Sequence, residues 1–144
     1  MKKNIYGTTV VVKSKGILII GASGAGKSDI ALRLIFNHQA KLIADDRTDI
    51  DVISNKIHAS APSSIKGLLE VRGVGIISVE SEDVAPIEMV VELVSEKCER
   101  MPERAFYELE GVKIPFIKLC ASEISAPEKI LAALSLLCGF KKGG

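Results

Sequence analysis

Tryptophan is absent from this 144-residue chain, and phenylalanine and tyrosine together supply only 4% of it. A surface that stacks nucleic-acid bases needs aromatic faces, so that class of function is poorly served here. Charge of one sign is lacking too: 19 Lys and Arg stand against 18 Asp and Glu, a formal net charge of +1. That balance gives no general attraction to nucleic acid or to an anionic membrane, and any partner has to be recognised locally. The three cysteines, Cys98, Cys120 and Cys138, are odd in number and far apart. They offer neither a disulfide framework nor a metal-ligand spacing and read as ordinary reduced thiols. No run reaches the ~18 apolar residues of a membrane span, and Met1-Lys2-Lys3 lacks a following hydrophobic stretch. The expectation is a cytoplasmic chain with neither membrane nor nucleic acid as partner.

What is present argues for a packed globule. Hydrophobic residues make up 47% of the chain, and a chain of this length buries about two-thirds of its unfolded surface. One domain over residues 1–144 is expected, with 141–144 as a frayed tail and no internal repeat or low-complexity segment.

The stretch Gly21-Ala22-Ser23-Gly24-Ala25-Gly26-Lys27-Ser28 organises the rest. It fits the pattern G-x-x-x-x-G-K-[ST], in which glycines let backbone N–H groups converge on a polyphosphate. Lys27 in that pattern reaches the β- and γ-phosphates, and the Ser28 hydroxyl takes one place on Mg²⁺. The flanks are those the motif requires. Gly16 to Ile20 is a short apolar run that reads as a buried strand. After the loop, Ile30, Ala31, Leu34 and Ile35 share one helical face while Asp29, Arg33 and Asn37 take the other, and the helix is expected to close near Asn37-His38.

Around this centre the chain reads as mostly strand. Asn4 to Val12 is rich in β-branched residues and meets a polar turn at Lys13-Ser14-Lys15-Gly16, so the chain opens as a hairpin and the sheet is mixed. Lys41 to Asp46 is an apolar strand ending at paired carboxylates. Successive side chains on an extended chain point to opposite faces, so one of Asp45 and Asp46 faces the phosphate while the other is structural. Asp49 to Ala59 reads as a hairpin around Ser54-Asn55, and His58 and His38 read as packed or surface residues rather than ligands. In Leu68 to Ile77, Glu70 and Arg72 lie two apart and project to one side of an extended backbone, as a metal ligand and a phosphate clamp or as an ion pair. Pro86 to Val94 reads as a strand, Ser95 to Arg104 as a charged surface loop, and Tyr107 to Leu119 as two strands about Glu110-Gly111. Pro115 suggests that the second of these is an edge. Ser125 to Glu128 reads as a capping box opening a helix with core residues Ile130, Leu131, Leu134 and Leu137, closed by Gly139.

Three pieces in this order, GASGAGKSDIALRLI, LIADDRTDI and LLEVRGVGIISV, closely resemble the catalytic domain of the HPr kinase/phosphorylase family, bacterial enzymes that modify a serine on the phosphocarrier protein HPr. The similarity begins at Ile5-Tyr6-Gly7 and thins after Val94. Longer members carry an N-terminal domain before this region, and the chain resembles the short, kinase-domain-only type of some proteobacteria. The resemblance implies an α/β, mixed-sheet P-loop domain of the phosphoenolpyruvate carboxykinase-like type with few helices. It implies an ATP- and Mg²⁺-dependent serine kinase acting on an HPr-like partner, with phosphorolysis of phosphoserine-HPr as a reverse activity, and a homo-oligomer, commonly a hexamer. By position, Lys27 and Ser28 match phosphate and Mg²⁺ contacts, Asp46 the proton acceptor, Glu70 a second metal-associated carboxylate, and Arg100 a family arginine. Arg72 lies in the signature stretch from Glu70 to Val79 and, with Arg100, is a candidate to steady the transferring group.

Two departures stand out. Tyr6 occupies the place where the family usually has a functional histidine, and a phenol cannot serve as an imidazole shuttle near neutral pH. The basic segment used for the reverse reaction is not evident in Leu119 to Ile124. Two other readings therefore stand beside the kinase: a nucleotide-responsive binding module without phosphotransfer, and a small-molecule kinase or carboxykinase-like enzyme. A GTPase is disfavoured, because Asn55-Lys56-Ile57-His58 lacks the aspartate of N-K-x-D.

Overall fold

The computed structural model describes residues 2–139, so the tail expected at 141–144 lies outside the described residues. The chain runs β1 (Lys3–Tyr6), β2 (Thr8–Val12), β3 (Lys15–Ile20), α1 (Lys27–His38), β4 (Lys41–Ala44), β5 (Arg47–Ile53), β6 (Lys56–Ser60), β7 (Leu68–Val71), β8 (Gly75–Ser78), β9 (Val84–Val94), β10 (Ala105–Leu109), β11 (Val112–Cys120) and α2 (Ala126–Cys138). Strands dominate because β-branched residues recur with period two between turns that permit positive φ. Lys13 and Ser14, Ser54 and Asn55, and Glu110 and Gly111 all have φ between +48° and +78°. These are the paired left-handed positions of two-residue hairpin turns, whose twist matches that of the strands they join. The first turn is thus confined to Lys13-Ser14, and Lys15 and Gly16 already belong to β3.

The main sheet has the order β1-β5-β6-β9-β3-β2-β4, with β11 beside β9 and β10 beside β11. It is mixed, as the opening hairpin required: β2 is antiparallel to β3 and β4, while β3 and β11 are parallel to β9. β9 joins the halves. Its first residues pair antiparallel with β6, and Gly16 to Ile20 and Phe116 to Cys120 pair parallel with the rest. The sheet therefore curls, and each of its faces has a core. Val10, Ile17, Ile19, Met89 and Val91 pack under α1 and α2, whereas Val11, Leu18, Val90, Ile50 and Ile57 close the other side. This alternation is why β2 and β3 are buried almost throughout.

At Gly16, β3 and β9 approach too closely for a side chain, since a Cβ would lie 2.5 Å from the Pro86 carbonyl oxygen. Gly16→Ala is expected to force the parallel pair apart and lower stability by about 1–3 kcal/mol, the usual cost of overpacking. A urea melt checks this, and an unchanged midpoint would contradict it.

Several expectations are corrected. The segment from Asn4 to Val12 is two strands broken at Gly7, because β1 pairs with β5 and β2 with β4 on either side of a bend. α1 ends at His38, within the expected Asn37-His38, but the left-handed residue that closes it is Gln39, with φ +60°, and not Asn37. Pro115 does not mark a free edge. It pairs opposite Phe106 just before β11 takes β9 as its parallel partner at Phe116, so its missing N–H falls where the strand changes neighbours. The capping box does not form: Ser125 makes no side-chain cap bond, and Glu128 reaches across to His38 Nε2 at 2.7 Å. Its own backbone amide first, and His38 second, hold the Glu128 carboxyl below the usual range. The three cysteines are free thiols. Burial above all pushes the Cys98 and Cys138 thiols up, with Glu123 and Glu88 respectively adding to it.

Candidate active site

Because β3, β9 and β11 run parallel, their C-terminal ends share one edge, the place where α/β sheets bind ligands. β3 leads into the glycine loop, β9 into the charged loop 95–104 that carries Arg100, and β11 into Ala121. These segments touch. A Cβ on Gly21 would lie 3.1 Å from the Leu93 carbonyl oxygen, and one on Gly26 would lie 3.2 Å from Ala121 Cβ. The approach of Ala121 had no signal in the sequence.

Gly21, Gly24 and Gly26 take φ of +155°, +80° and +103°, conformations that residues with a Cβ rarely adopt. Ala22, Ser23 and Gly24 form the exposed tip, and the Ala25 amide is turned inward to the Ala22 carbonyl at 3.0 Å. Gly26 precedes α1, which has no side-chain cap, so its first-turn amides have no intrahelical partner and suit an anion. Lys27 is 6% exposed, and its ammonium donates to the carbonyls of Gly21 and Ala22 at 3.1 and 3.0 Å. The cation is held at the mouth of the loop.

Asp45 ties the motifs together. Its Oδ1 accepts from Ser28 Oγ at 2.6 Å and from Thr8 Oγ1 at 3.1 Å, and its Oδ2 accepts from the Glu70 amide at 3.0 Å. Loop, paired carboxylates and signature stretch thus meet at one side chain only 7% exposed. Since the Ser28 proton is committed to Asp45, the hydroxyl lone pairs remain for a hard cation, and the donors at hand are oxygens, which suit Mg²⁺. Among the described residues no cluster of three or more His, Cys, Asp or Glu forms a ready-made metal cage. Mg²⁺ does not ask for one, as it commonly takes one or two carboxylates together with substrate phosphates.

Asp46 is exposed and has φ +70°. The Arg47 amide donates back to the Asp45 carbonyl at 2.7 Å, so Asp46 is the central residue of a tight γ-type turn, a strained position for a non-glycine residue. The turn sits where the paired ribbon β1-β2 and β4-β5 bends, and it is pinned by bonds from the Gly7 amide to the Asp46 carbonyl and from the Asp46 amide to Thr8 Oγ1. The two carboxylates part ways, with Asp45 inward against Ser28 and Asp46 exposed, but not by strand alternation: the strand expected to run to Asp46 ends at Ala44, and the turn at Asp46 separates them.

Glu70 is exposed at the end of β7, next to fully buried Leu69. Arg72 does not share its strand. β7 stops at Val71, and Arg72 lies in the turn to β8, so strand alternation does not set its direction and no ion pair joins it to Glu70 among the described residues. Arg100 is exposed in its loop and not brought to Lys27 by any contact among the described residues. Sequence reasoning missed Thr8 and Arg47, and it did not foresee what Tyr6 touches. Lys27 Nζ lies 4.5 Å and Arg47 Cζ 5.4 Å from the centre of the Tyr6 ring. The register Tyr6 opposite Arg47 across β1 and β5 carries the second of these contacts. Among the described residues no helix is long and apolar enough to cross a membrane.

The chain is similar to HPr kinase/phosphorylase of Brevibacillus brevis, at 38% identity over 118 residues covering 76% of this chain and 38% of that protein. With the protein of the same name from Clostridium tetani it shares 49% identity over 77 residues, 54% of this chain and 25% of the other. It thus spans about two-fifths or less of the length of these relatives. The solved structure of the HPr(Ser) kinase/phosphatase from Coxiella burnetii has the same fold, with a TM-score of 0.80 at 24% identity over 93% of this chain and 89% of that one. The sequence model of the HPr Serine kinase C-terminal domain matches residues 1–134, and the chain, with its curled mixed sheet and glycine loop, belongs to that family.

Proposed function

We propose that this chain is the catalytic unit of an ATP- and Mg²⁺-dependent serine kinase that phosphorylates an HPr-like phosphocarrier protein in the cytoplasm. The observation that carries the reading is the convergence at Asp45, which ties the Ser28 hydroxyl, the paired carboxylates and the Glu70 backbone to one point beside Lys27. The loop amides and Lys27 bind the β- and γ-phosphates, and Ser28 and Glu70 supply oxygens for the metal. When bound, Mg²⁺ neutralises charge shared by the two phosphates. Asp46 accepts the proton of the acceptor serine as its oxygen bonds to the γ-phosphorus and ADP leaves. A loose phosphoryl-transfer transition state asks mainly for positioning and charge neutralisation, and Arg72 and Arg100 steady the transferring group. Either arginine can do so across a subunit boundary of the homo-oligomer, a hexamer by family resemblance. In the reverse direction inorganic phosphate attacks the phosphoserine phosphorus and the protonated Asp46 carboxyl returns its proton to the serine oxygen.

The test incubates the protein with γ-labelled ATP, Mg²⁺ and HPr, then with phosphoserine-HPr and inorganic phosphate. Label on the HPr serine is expected in the first reaction. Nucleotide binding without label on HPr would overturn the kinase reading and leave a nucleotide-responsive module. Label on a small acceptor instead would identify a small-molecule kinase or carboxykinase-like enzyme.

A further inference from the structure

The tyrosine standing where a histidine was expected is the least explained feature of the site, and its surroundings give it a task. Two cations face one ring: the Lys27 ammonium 4.5 Å from the ring centre and the Arg47 guanidinium at 5.4 Å. Both are within the range at which the negative face of an aromatic ring attracts a cation. The arrangement follows from the fold. Tyr6 is the last residue of β1 before the bend at Gly7, Arg47 is the first residue of β5 after the turn at Asp46, and the two are paired across the strands. Lys27 arrives from α1, tethered to two loop carbonyls. Its ammonium has three donors, two of which those carbonyls take, and the ring stands over the same group.

We propose that Tyr6 is a positioning residue, a cation–π clamp that keeps the Lys27 ammonium aimed at the mouth of the glycine loop and brings Arg47 to the same mouth as a second phosphate-directed cation. The inference rests on reading the loop as a nucleotide site and goes further by naming what preorganises its lysine. Lys27 is almost fully buried. Without the ring the ammonium loses a neighbour that offsets its charge and that of Arg47, and the ordering of both side chains is left to the incoming phosphates. Binding then costs more. The clamp depends on the electron-rich face and not on the hydroxyl, so phenylalanine serves and an aliphatic side chain does not.

Two measurements test it. In the nucleotide-free protein, the Lys27 side-chain protons are expected to resonate upfield through the ring current of Tyr6, to keep that shift in Tyr6→Phe and to lose it in Tyr6→Leu. Calorimetric titration with Mg·ADP is expected to show Tyr6→Phe within about twofold of the parent and Tyr6→Leu weaker by about two- to tenfold. Phenylalanines of increasing fluorination at position 6 are expected to weaken binding stepwise, because fluorine drains the ring face while preserving its shape. The Arg47→Gln loss is expected to be smaller when Tyr6→Leu is also present. Unshifted Lys27 protons, or equal affinity along the fluorinated series, would overturn the clamp. A parent chain with shifted Lys27 protons that binds no Mg·ADP would instead sink the nucleotide reading, and the clamp's purpose with it.

Discussion

The Asp46→Asn protein is expected to bind Mg·ATP like its parent and to phosphorylate HPr about 10²- to 10⁴-fold more slowly, the range that a positioned general base contributes. Asparagine keeps the size and hydrogen-bonding shape of the side chain but cannot take a proton, so only the chemical step should suffer. The backbone sharpens this expectation. Asp46 is held at φ +70° in a tight turn, and a strained non-glycine residue at such a place marks a side chain worth its cost. Asp46→Gly should therefore lose transfer as fully as Asp46→Asn while raising stability by up to about 1 kcal/mol, since glycine adopts this φ freely. Loss of activity together with a gain in the urea midpoint is the signature. Transfer that survives either substitution would remove Asp46 from the role of base and turn attention to Asp45.

Asp45→Ala is expected to act on fold and site together, lowering stability by about 3 kcal/mol. A nearly buried carboxylate accepts from two hydroxyls and one amide, and a hydrogen bond to a charged acceptor is worth roughly 1.5–3 kcal/mol, with little additivity among bonds to one group. The Ser28 and Thr8 hydroxyls can turn to other acceptors, whereas the Glu70 amide cannot turn. Its bond to Asp45 joins the Glu70 backbone to the carboxylate that also holds Ser28, beside the packing of Leu69 and Val71 on the core under α1. Asp45→Asn should cost about half as much, because the amide oxygen can still accept from Glu70 while the amide nitrogen donates to a reversed Ser28 hydroxyl. That reversal points the Ser28 proton toward the place a cation would occupy. Asn is therefore expected to be milder than Ala in a melt and as damaging as Ala in Mg²⁺-dependent nucleotide binding. Equal midpoints for parent and Asp45→Ala would show that the three bonds carry no weight.

Much of this arrangement was legible in the chain. The G-x-x-x-x-G-K-[ST] spacing located the loop because its glycines must take φ values other residues avoid, and Gly21, Gly24 and Gly26 do so. The opening hairpin predicted a mixed sheet because only antiparallel neighbours can be joined by so short a turn. The divergence of Asp45 and Asp46 was expected from strand alternation, but β4 ends at Ala44 and the tight turn at Asp46 parts them instead. Illegible were the matters decided by distant residues. The capping box at Ser125 looked sound locally, but His38 lies 90 positions away in sequence and takes Glu128. Arg72 looked like a strand partner of Glu70 until the glycines beyond it made the turn begin there.

The sequence by itself determined the glycine loop and the hairpin turns, because each depends on the backbone freedom of a few adjacent residues. Only the tertiary structure decided which carboxylate faces Ser28, and that Tyr6 stands over Lys27 with Arg47 beside it. Those choices rest on the bend of the ribbon at Gly7 and Asp46, where strands far apart in the chain are pressed together by cores on both faces of a curled sheet.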